Sequence, residues 1–364
     1  MIFYYIDFVE SIPASLTHPH AIVRIPSRAL RKSKEPFTTC IIRTSSCSTI
    51  TNTPGFYTPL PPQNPTDVVF TQNTPNMAVG LFVKRSFKVN EIIFSERPLL
   101  VLPPGLPFLS PLPKEEALKC LDSLFKETMQ RGLRAMTKED VDAFMSLSNC
   151  HPNVPQVQGI VSTNAFRTAI EEENLLEGKF RYSAVGMLAS RINHRYVSMV
   201  LVFQVTNKMA LCYCSCTPNV HISLDIPTFS LQAIAMRDIE ADQQLFCSYR
   251  GLYRSAKERR RQLLEGYGFV CECKACVNAT PESDKLREEM NDRIQKIMDD
   301  VAVIFANVNN RSLDPLLKLE KEIVKEGLDF DEQWLKLLCT ILYAYKYSTT
   351  FQSRKNTLSN VTSS

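Results

Sequence analysis

The residues best suited to chemistry are three closely spaced cysteines in the sequence GYGFVCECKACV. Cys271, Cys273 and Cys276 form a C-x-C-x-x-C cluster, and three thiolates at this spacing can occupy three corners of a zinc tetrahedron. We expect no secretory signal at the N-terminus, so reduced thiols and a metal site are favoured over disulfides. The alternative is three buried thiols without a metal. The spacing leaves the fourth ligand open among the histidines and the cysteines Cys212, Cys214, Cys216 and Cys247.

A second group of candidate residues lies at the two ends of one stretch, from Ala189 to Val220. This stretch begins with Arg-Ile-Asn-His, which supplies Asn193 and His194, and it ends with Ser-Cys-Thr-Pro-Asn-Val. Both ends have the polar character of site-building loops, whereas the apolar run between them contains no obvious site residue. Further along the chain, QQLFCSY predicts a strand that ends at Tyr249. Taken alone, that tyrosine is typical of a protein core.

Taken in order, the motifs of this chain resemble those of the SET-domain lysine methyltransferases. The resemblance covers roughly Asp67 to Cys276 and rests on AVGLFVKRSFKVNEIIFSERPLLV, RINH, SCTPNV, AIAMRDIEADQQLFCSY and ERRRQLLEGYGFVCECKAC. Each motif is weak alone, but their combination is highly specific. A helical insert between two groups of strands is similar to that of the branch that also carries a MYND zinc finger. The sequence contains no MYND finger pattern, so it resembles fungal-type members of that branch that lack the finger.

The resemblance implies S-adenosylmethionine as the cofactor and zinc as a bound ion. The cofactor-binding residues that it implies are the backbone around Ala78, Val79, Gly80 and Leu81, the pair Asn193 and His194, and Phe269 against the adenine. It implies that Tyr249 is the catalytic residue, placed where the methyl group passes. The zinc ligands that it implies are Cys216, Cys271, Cys273 and Cys276.

The chemistry of methyl transfer suits these residue types. Transfer from a sulfonium to a lysine amine is an in-line displacement, so donor and acceptor must be aligned on opposite sides of a narrow channel. The lysine must also be neutral, although its reference pKa is about 10.4, and a dry aromatic channel lowers that pKa by disfavouring the charged form. We therefore expect the hydroxyl and ring of Tyr249 to orient the amine without forming a covalent intermediate.

Two positions depart from the family pattern. Ala78 stands where a glycine is usual in the G-x-G turn, and its side chain restricts the backbone that approaches the cofactor. The residues Asp242-Gln243-Gln244 replace the common Gly-Glu-Glu before the tyrosine. Because aspartate tolerates turn conformations, we expect the hairpin there to survive.

In the family the Asn-His and Ser-Cys motifs are contiguous, whereas an apolar run separates them in this chain. Twenty residues, Arg195 to Cys214, separate Asn-His from Ser-Cys, and they include neither Gly nor Pro. A surface insertion is usually polar and rich in turn residues. Codons for Arg-Tyr-Val, Thr-Asn and Cys-Ser permit an intron donor, branch point and acceptor, and removal of the segment restores RINHSCTPNV. The sequence therefore favours a retained intron over a genuine lineage-specific loop.

The remaining pattern predicts an α+β protein of short strands with a helical insert and a helical C-terminal region. The resemblance implies that these elements form a SET-type fold of small β-sheets with a zinc-binding post-SET segment. The divisions that we expect are a poorly ordered Pro/Ser/Thr-rich leader (1–66), a SET domain (67–250, with a helical insert at about 114–176 and the aberrant insertion at 195–214), a post-SET zinc segment (251–276), a helical region (277–348) and a disordered tail (349–364). Short runs such as DVVFT, VGLFV, EIIFSE, LLVL, HISLDI and FSLQAIAM predict the strands.

Composition limits the classes of function. The chain has 364 residues, 44% hydrophobic content and a net charge of +4 from interspersed charges, and it lacks any apolar stretch of membrane-spanning length. We expect a monomer of the nucleus or cytoplasm that meets a protein substrate through an accessible lysine, with no nucleic acid or membrane partner. The competing interpretation is a non-catalytic, zinc-stabilised SET-like interaction module.

A basic run near the cysteine cluster has two interpretations. Arg254, Lys257, Arg259, Arg260 and Arg261 could form a nuclear-localisation patch, but their helical spacing favours a solvated helix face. We therefore expect these side chains to be exposed.

Overall fold

The structure is a computed structural model that divides into two compact units. It describes residues 20–27, 30, 36–60, 64–74, 78–103, 114–174, 178–193, 216, 218–249, 251–306, 314–329 and 334–342. The first unit comprises Met1–Tyr196, Pro218–Cys247 and Leu264–Phe269, and the second comprises Val197–Thr217, Ser248–Leu263 and Val270–Ser364. Three predictions, His194, the insertion at 195–214 and the tail at 349–364, lie outside the described residues.

The strands form three small sheets in the first unit. Their bounds are β1 Ala21–Ile25, β2 Thr38–Ile42, β3 Val69–Thr74, β4 Ala78–Val83, β5 Ile92–Glu96, β6 Leu100–Leu102, β7 Phe166–Asn174, β8 Gly178–Val185, β9 Val220–Asp225 and β10 Ser230–Ala235. The sheet orders are β1-β2-β6-β8-β7, β5-β10-β9 and β3-β4. The pairings are antiparallel except between β2 and β6, which run parallel.

The helices lie in both units. Their bounds are α1 Thr44–Thr51, α2 Lys114–Ala135, α3 Lys138–Met145, α4 Gln156–Asn164, α5 Ala256–Tyr267, α6 Lys274–Val277, α7 Pro281–Ala306 and α8 Asp314–Lys325. Residues 334–342 are also helical. Among the described residues, no helix is both long and apolar enough to cross a bilayer. The α+β class with small sheets, predicted from the sequence, is confirmed.

Alternation of apolar and polar residues explains strand β9, which the sequence predicted. In β9, Val220, Ile222 and Leu224 are buried while His221 between them is exposed, because successive side chains of a strand point to opposite faces. The predicted strand QQLFCSY is wrong in its extent. Gln244 makes a single bridge to Phe82 and Phe246 a single bridge to Asn193, so the segment contacts two partners in turn and forms no continuous ladder.

The helical insert begins as predicted but ends earlier. The Thr137 side chain accepts a hydrogen bond from the Asp140 N–H (3.1 Å) and so caps α3, as the capping-box spacing indicates. The expected helical end near residue 176 is corrected, because Phe166–Asn174 is strand β7. Pairing with β8 in a hairpin overrides the helical preference of the glutamates in this segment.

The expectation of a poorly ordered leader differs from the structure over part of its length. Strand β2 lies within residues 1–66, and its five residues are buried. Its Ile41 packs in one core with Leu100 of β6 and with Met129 and Phe144 of the helical insert. The β-branched run TTCII suits such a buried strand, but the surrounding proline-rich composition obscured it in the sequence.

Amphipathic helices build the second unit. Leu286, Met290 and Ile294 of α7 are buried at the predicted three- and four-residue spacing. The side chains of Arg293 on α7 and Glu322 on α8 form an ion pair (2.8 Å). The ion pair therefore links the two helices, while α7 buries its apolar face.

Candidate cofactor and metal sites

Four buried cysteines of the second unit form a candidate metal centre. The Sγ atoms of Cys216, Cys271, Cys273 and Cys276 all lie within 4.8 Å of one another. The Sγ atom of Cys216 is 3.5 Å from that of Cys276 and 4.0 Å from that of Cys271, well beyond the length of a disulfide bond. Tetrahedral zinc with Zn–S bonds of about 2.3 Å sets its sulfur atoms about 3.8 Å apart. The donor type and spacing therefore fit one zinc ion.

A short helix orients two of these thiols. Cys273 is the residue before α6, and its carbonyl accepts hydrogen bonds from the N–H groups of Cys276 and Val277 (both 2.8 Å). This single turn places Cys273 and Cys276 on one side, because residues three apart are neighbours on a helix. The carbonyl of Cys271 accepts a hydrogen bond from Arg260 Nε (2.9 Å), which fixes the chain before the helix.

The clustered thiols need a cation if all are to ionise. Hydrogen bonding with Cys271, Cys273 and Cys276, together with burial, raises the pKa of Cys216 well above its usual range. A divalent metal ion would offset this mutual repulsion. Cys247, an open candidate for the fourth ligand, lies outside the cluster in the first unit. Its Sγ donates to the Ile192 carbonyl (3.7 Å), and burial raises its pKa to about 12.

Two buried arginines lie beside the cluster in the second unit. The side chain of Arg259 is 1% exposed, and its Nη2 donates to Cys276 Sγ (3.5 Å) and to the Ala275 carbonyl (2.9 Å). Arg287, 0% exposed, pairs with Glu326 through Nε (3.1 Å) and donates to the Glu326 carbonyl. The expectation that the basic run forms a solvated face is therefore wrong at Arg259, because this guanidinium takes part in hydrogen bonding at the cysteine cluster.

Two of the predicted cofactor residues meet in the first unit. Val79 lies in β4, and its carbonyl accepts a hydrogen bond from Asn193 Nδ2 (3.2 Å). The Asn193 carbonyl in turn accepts from the Cys247 N–H (3.3 Å). Asn193 is thus held between the β4 backbone and the segment that leads towards Tyr249. Ala78, Gly80 and Leu81 occupy the same strand as Val79.

Asn219 is a positioning residue that the sequence analysis did not single out, although it lies in the SCTPNV motif. Its Oδ1 accepts from the Phe246 N–H (2.7 Å) and its Nδ2 donates to the Gln244 carbonyl (2.9 Å). Its own N–H donates to the Phe246 carbonyl (3.1 Å). Because this asparagine satisfies both backbone groups of Phe246, it fixes the segment that pairs with Asn193.

The turn before the tyrosine segment behaves as expected for its unusual residues. Asp242 has a left-handed φ of 62°, a conformation that aspartate tolerates better than most residues, and its N–H donates to the Val83 carbonyl (2.8 Å).

The Nε2 atom of Gln244 is buried and has no hydrogen-bond partner in the described part of the chain. It lies directly over Gly80, since a Cβ added at Gly80 would overlap it.

Replacing Gly80 with alanine should therefore destabilise the first unit. The new methyl group would displace the buried Gln244 amide and lie 3.0 Å from Thr74 Cγ2. Because the overlapped atom is the end of a flexible side chain, we expect unfolding to become easier by about 1 kcal/mol, the low end of the usual cost of overpacking, as measured by urea denaturation. Gly251→Ala is the matched control, because an added Cβ there meets nothing within 4 Å. Equal unfolding midpoints for Gly80→Ala and wild type would contradict the close approach.

The two predicted aromatic site residues lie in different units. Phe269 is half-buried in the first unit, with its ring centroid 6.5 Å from that of Tyr267 and the two rings tilted by 49°. Tyr249 is half-buried at a bend in the second unit. Their assigned roles, like those of the other site residues, remain predictions.

Comparison with known proteins agrees with the motif analysis. Residues 78–250 match the family model of the SET domain. The chain is 27% identical over 214 residues to histone-lysine N-methyltransferase set5 of Schizosaccharomyces pombe, covering 59% of this chain and 51% of that protein. It is 33% identical over 89 residues to histone-lysine N-methyltransferase SMYD3 of Homo sapiens, covering 23% and 20% of the two chains. It is 40% identical over 72 residues to SET domain and MYND-type zinc finger protein 6 of Schizosaccharomyces pombe, covering 19% and 14%.

These matches relate part of the chain to a known family. Residues 78–250 are similar to the SET domain. The proteins to which it is similar include enzymes named as lysine methyltransferases, and the chain spans about half the length of the first of them, or less for the others.

Proposed function

We propose that this protein is an S-adenosylmethionine-dependent protein-lysine N-methyltransferase. The SET domain over residues 78–250 carries the proposal, because it begins at Ala78 of the expected cofactor strand and ends just after the expected catalytic Tyr249. Similarity to enzymes named as histone-lysine methyltransferases supports it. The hydrogen bond between Asn193 and Val79 supports the assignment of the cofactor residues.

The residues of the chain suit this cofactor. Gln244 Nε2 is a buried donor without a partner among the described residues, so an acceptor group of a ligand beside Gly80 would satisfy it. In the proposal, the backbone of Ala78–Leu81, Asn193 and His194 hold the cofactor, and Phe269 lies against its adenine. When bound, S-adenosylmethionine supplies the methyl group on a sulfonium.

Tyr249 would act on the substrate side. Its hydroxyl and ring would orient the lysine amine in line with the methyl group, and an apolar channel would favour the neutral amine that the displacement needs. Zinc, held by Cys216, Cys271, Cys273 and Cys276, would have a structural role only, because four thiol ligands leave no open coordination position.

The partner in this proposal is a protein with an accessible lysine, histone or non-histone, met by a monomer in the nucleus or cytoplasm. We assign no nucleic-acid or membrane partner. The similarity to set5 of fission yeast supports the fungal-type branch.

We further propose that Arg195 to Cys214 derive from a retained intron. The apolar composition, the lack of Gly and Pro and the permitted splice-site codons support this origin. If the segment is translated, it separates Asn193 and His194 from Cys216 along the chain, and an exposed apolar loop favours aggregation, so this form would be impaired. Sequencing of cDNA across the junction tests the proposal, and transcripts that uniformly keep the segment would refute it.

Labelled methyl transfer tests the enzymatic function. Both forms of the protein, with and without residues 195–214, are incubated with labelled S-adenosylmethionine and a panel that contains histones and other proteins. We expect label on lysine with the form that lacks the segment. The alternative, a non-catalytic SET-like interaction module, would be supported if a folded, zinc-containing protein bound no cofactor.

A further inference from the structure

Glu96, the last residue of β5, holds a buried carboxylate that the proposed reaction does not use. The residue is 8% exposed and lies in the first unit. Its Oε1 accepts hydrogen bonds from the N–H groups of Ala189 (2.7 Å) and Leu188 (3.1 Å), and its Oε2 accepts from the Leu188 N–H (2.9 Å). These hydrogen bonds of the buried carboxylate therefore stabilise a segment that lies 92 and 93 residues further along the chain, and not its own strand.

The partners of Glu96 belong to the segment that presents Asn193. Ala189–Arg191 form a single 3₁₀ turn, and no side chain at its N-cap position, Leu188, accepts a hydrogen bond. The carboxylate of Glu96 therefore satisfies the free N–H groups at the start of this turn from 92 and 93 residues away. Beyond the turn, Ile192 is fully buried and Asn193 donates to the Val79 carbonyl.

The surroundings are shaped for this carboxylate. A Cβ added at Gly186 would overlap Glu96 Oε1 and lie 2.8 Å from Leu231 Cδ1, so only glycine leaves room for the acid. The neighbouring Arg97 donates to the carbonyls of Thr228 and Phe229. Burial raises the pKa of Glu96 to about 7, while the N–H groups of Leu188, Ala189 and Met187 favour the ionised form. The charge of Glu96 thus changes near neutral pH.

We propose that Glu96 is a positioning residue for cofactor binding, because its carboxylate fixes the turn at Leu188 and Ala189 from which Asn193 reaches the Val79 carbonyl. This inference rests on the proposed function. Without the carboxylate, two buried N–H groups lose their acceptor and the turn opens part of the time. The affinity for the cofactor then falls by the fraction of molecules in which Asn193 is out of place.

The test compares wild type with Glu96→Gln in calorimetric binding of S-adenosylhomocysteine, with the full chain and the form that lacks residues 195–214 measured in parallel. Glutamine keeps the size of the side chain and one acceptor oxygen, but its amide nitrogen takes the place of Oε2, where it is a donor facing the Leu188 N–H. Because two donors then meet and the negative charge is lost, we expect the dissociation constant to rise about tenfold. Hydrogen exchange of peptides that cover residues 186–192 should become faster in the same variant.

A pH profile separates positioning from general stability. Between about pH 8 and about pH 6, protonation of Glu96 in wild type should weaken cofactor binding, since the ionised acid makes the stronger hydrogen bonds. Glu96→Gln should lack this part of the dependence. Every other titratable group is the same in both proteins, so the difference between the two profiles reports Glu96.

Two controls accompany the variant. Glu91→Gln removes an acid that pairs with Arg85 at the surface just before β5, and it should leave binding unchanged. Ile42→Val removes one methyl group from the buried β2, so it lowers the unfolding midpoint without altering Glu96 or the turn residues themselves. If Glu96→Gln does not fold, Glu96→Asp replaces it in the calorimetric binding and hydrogen-exchange measurements. Aspartate retracts the carboxylate by one methylene.

The outcomes distinguish this inference from the proposed function. Wild-type protein that binds no cofactor, although folded, refutes the function on which the inference rests. Wild-type binding with an unchanged dissociation constant and pH profile in the Glu96 variant refutes the positioning role alone. A loss of affinity equal to that of Ile42→Val, with unchanged exchange at residues 186–192, also refutes it.

Discussion

Replacing Cys273 with serine is expected to reduce the zinc content of the purified protein from about one ion per chain to nearly none. Serine keeps the size of the residue but supplies no thiolate, and the four-sulfur set of the cluster is left incomplete. Because metal binding and folding of such a segment are one equilibrium, we expect the second unit to lose several kcal/mol of stability. Atomic absorption and thermal unfolding measure the two effects.

Cys339→Ser is the matched control for this experiment. Cys339 belongs to the same unit, but it is exposed and stands outside the cluster. The control should keep its zinc and its unfolding temperature. Full zinc content in Cys273→Ser, or wild-type protein without zinc when purified free of chelators, would refute the metal centre.

Tyr249→Phe is expected to lower methyl transfer by about 100-fold or more, the scale on which a positioned hydroxyl contributes to a reaction. The variant loses only the oxygen that would orient the lysine amine, so cofactor binding and zinc content should remain at wild-type values. Rates with labelled cofactor at saturating substrate, together with calorimetric cofactor binding, provide the measurement.

The control for the tyrosine is Tyr253→Phe, a half-buried tyrosine four residues further on and outside the matched SET domain. Its methyl-transfer rate should equal that of wild type. A Tyr249→Phe protein that retains its rate would show that this hydroxyl is not part of the reaction, while methyl transfer by wild type would still support the enzyme.

The sequence predicted features that depend on local spacing. Strict alternation in HISLDI gave strand β9, and three- and four-residue spacing gave helix α7. Both follow from the periods of strand and helix, which are properties of a single segment. The C-x-C-x-x-C spacing likewise identified three of the clustered thiols, while Cys216 came from the family resemblance and not from spacing.

The features that the sequence did not predict depend on partners far along the chain. Strand β2 is fixed by its parallel neighbour β6, which no local pattern indicates. Arg259 resembles any basic residue of a solvated helix, and only the tertiary structure places its guanidinium against Cys276. In the sequence, Glu96 resembles any acidic residue of a strand, and only the structure shows that its carboxylate accepts a hydrogen bond from the Leu188 N–H. Long-range hydrogen bonds of buried charged groups are therefore the features of this protein that its sequence does not predict.

The burial of Arg259 and Arg287 also constrains how this protein can change in evolution. A zinc ion with four thiolates carries a net charge of −2. In the second unit it would act as counter-ion to two guanidiniums whose only carboxylate partner within the described residues is Glu326. A lineage that lost the cysteines would retain a buried cation without its compensating charge, a costly state. Substitutions at the cysteines and at Arg259 should therefore be strongly epistatic, so that these positions are retained together or lost together.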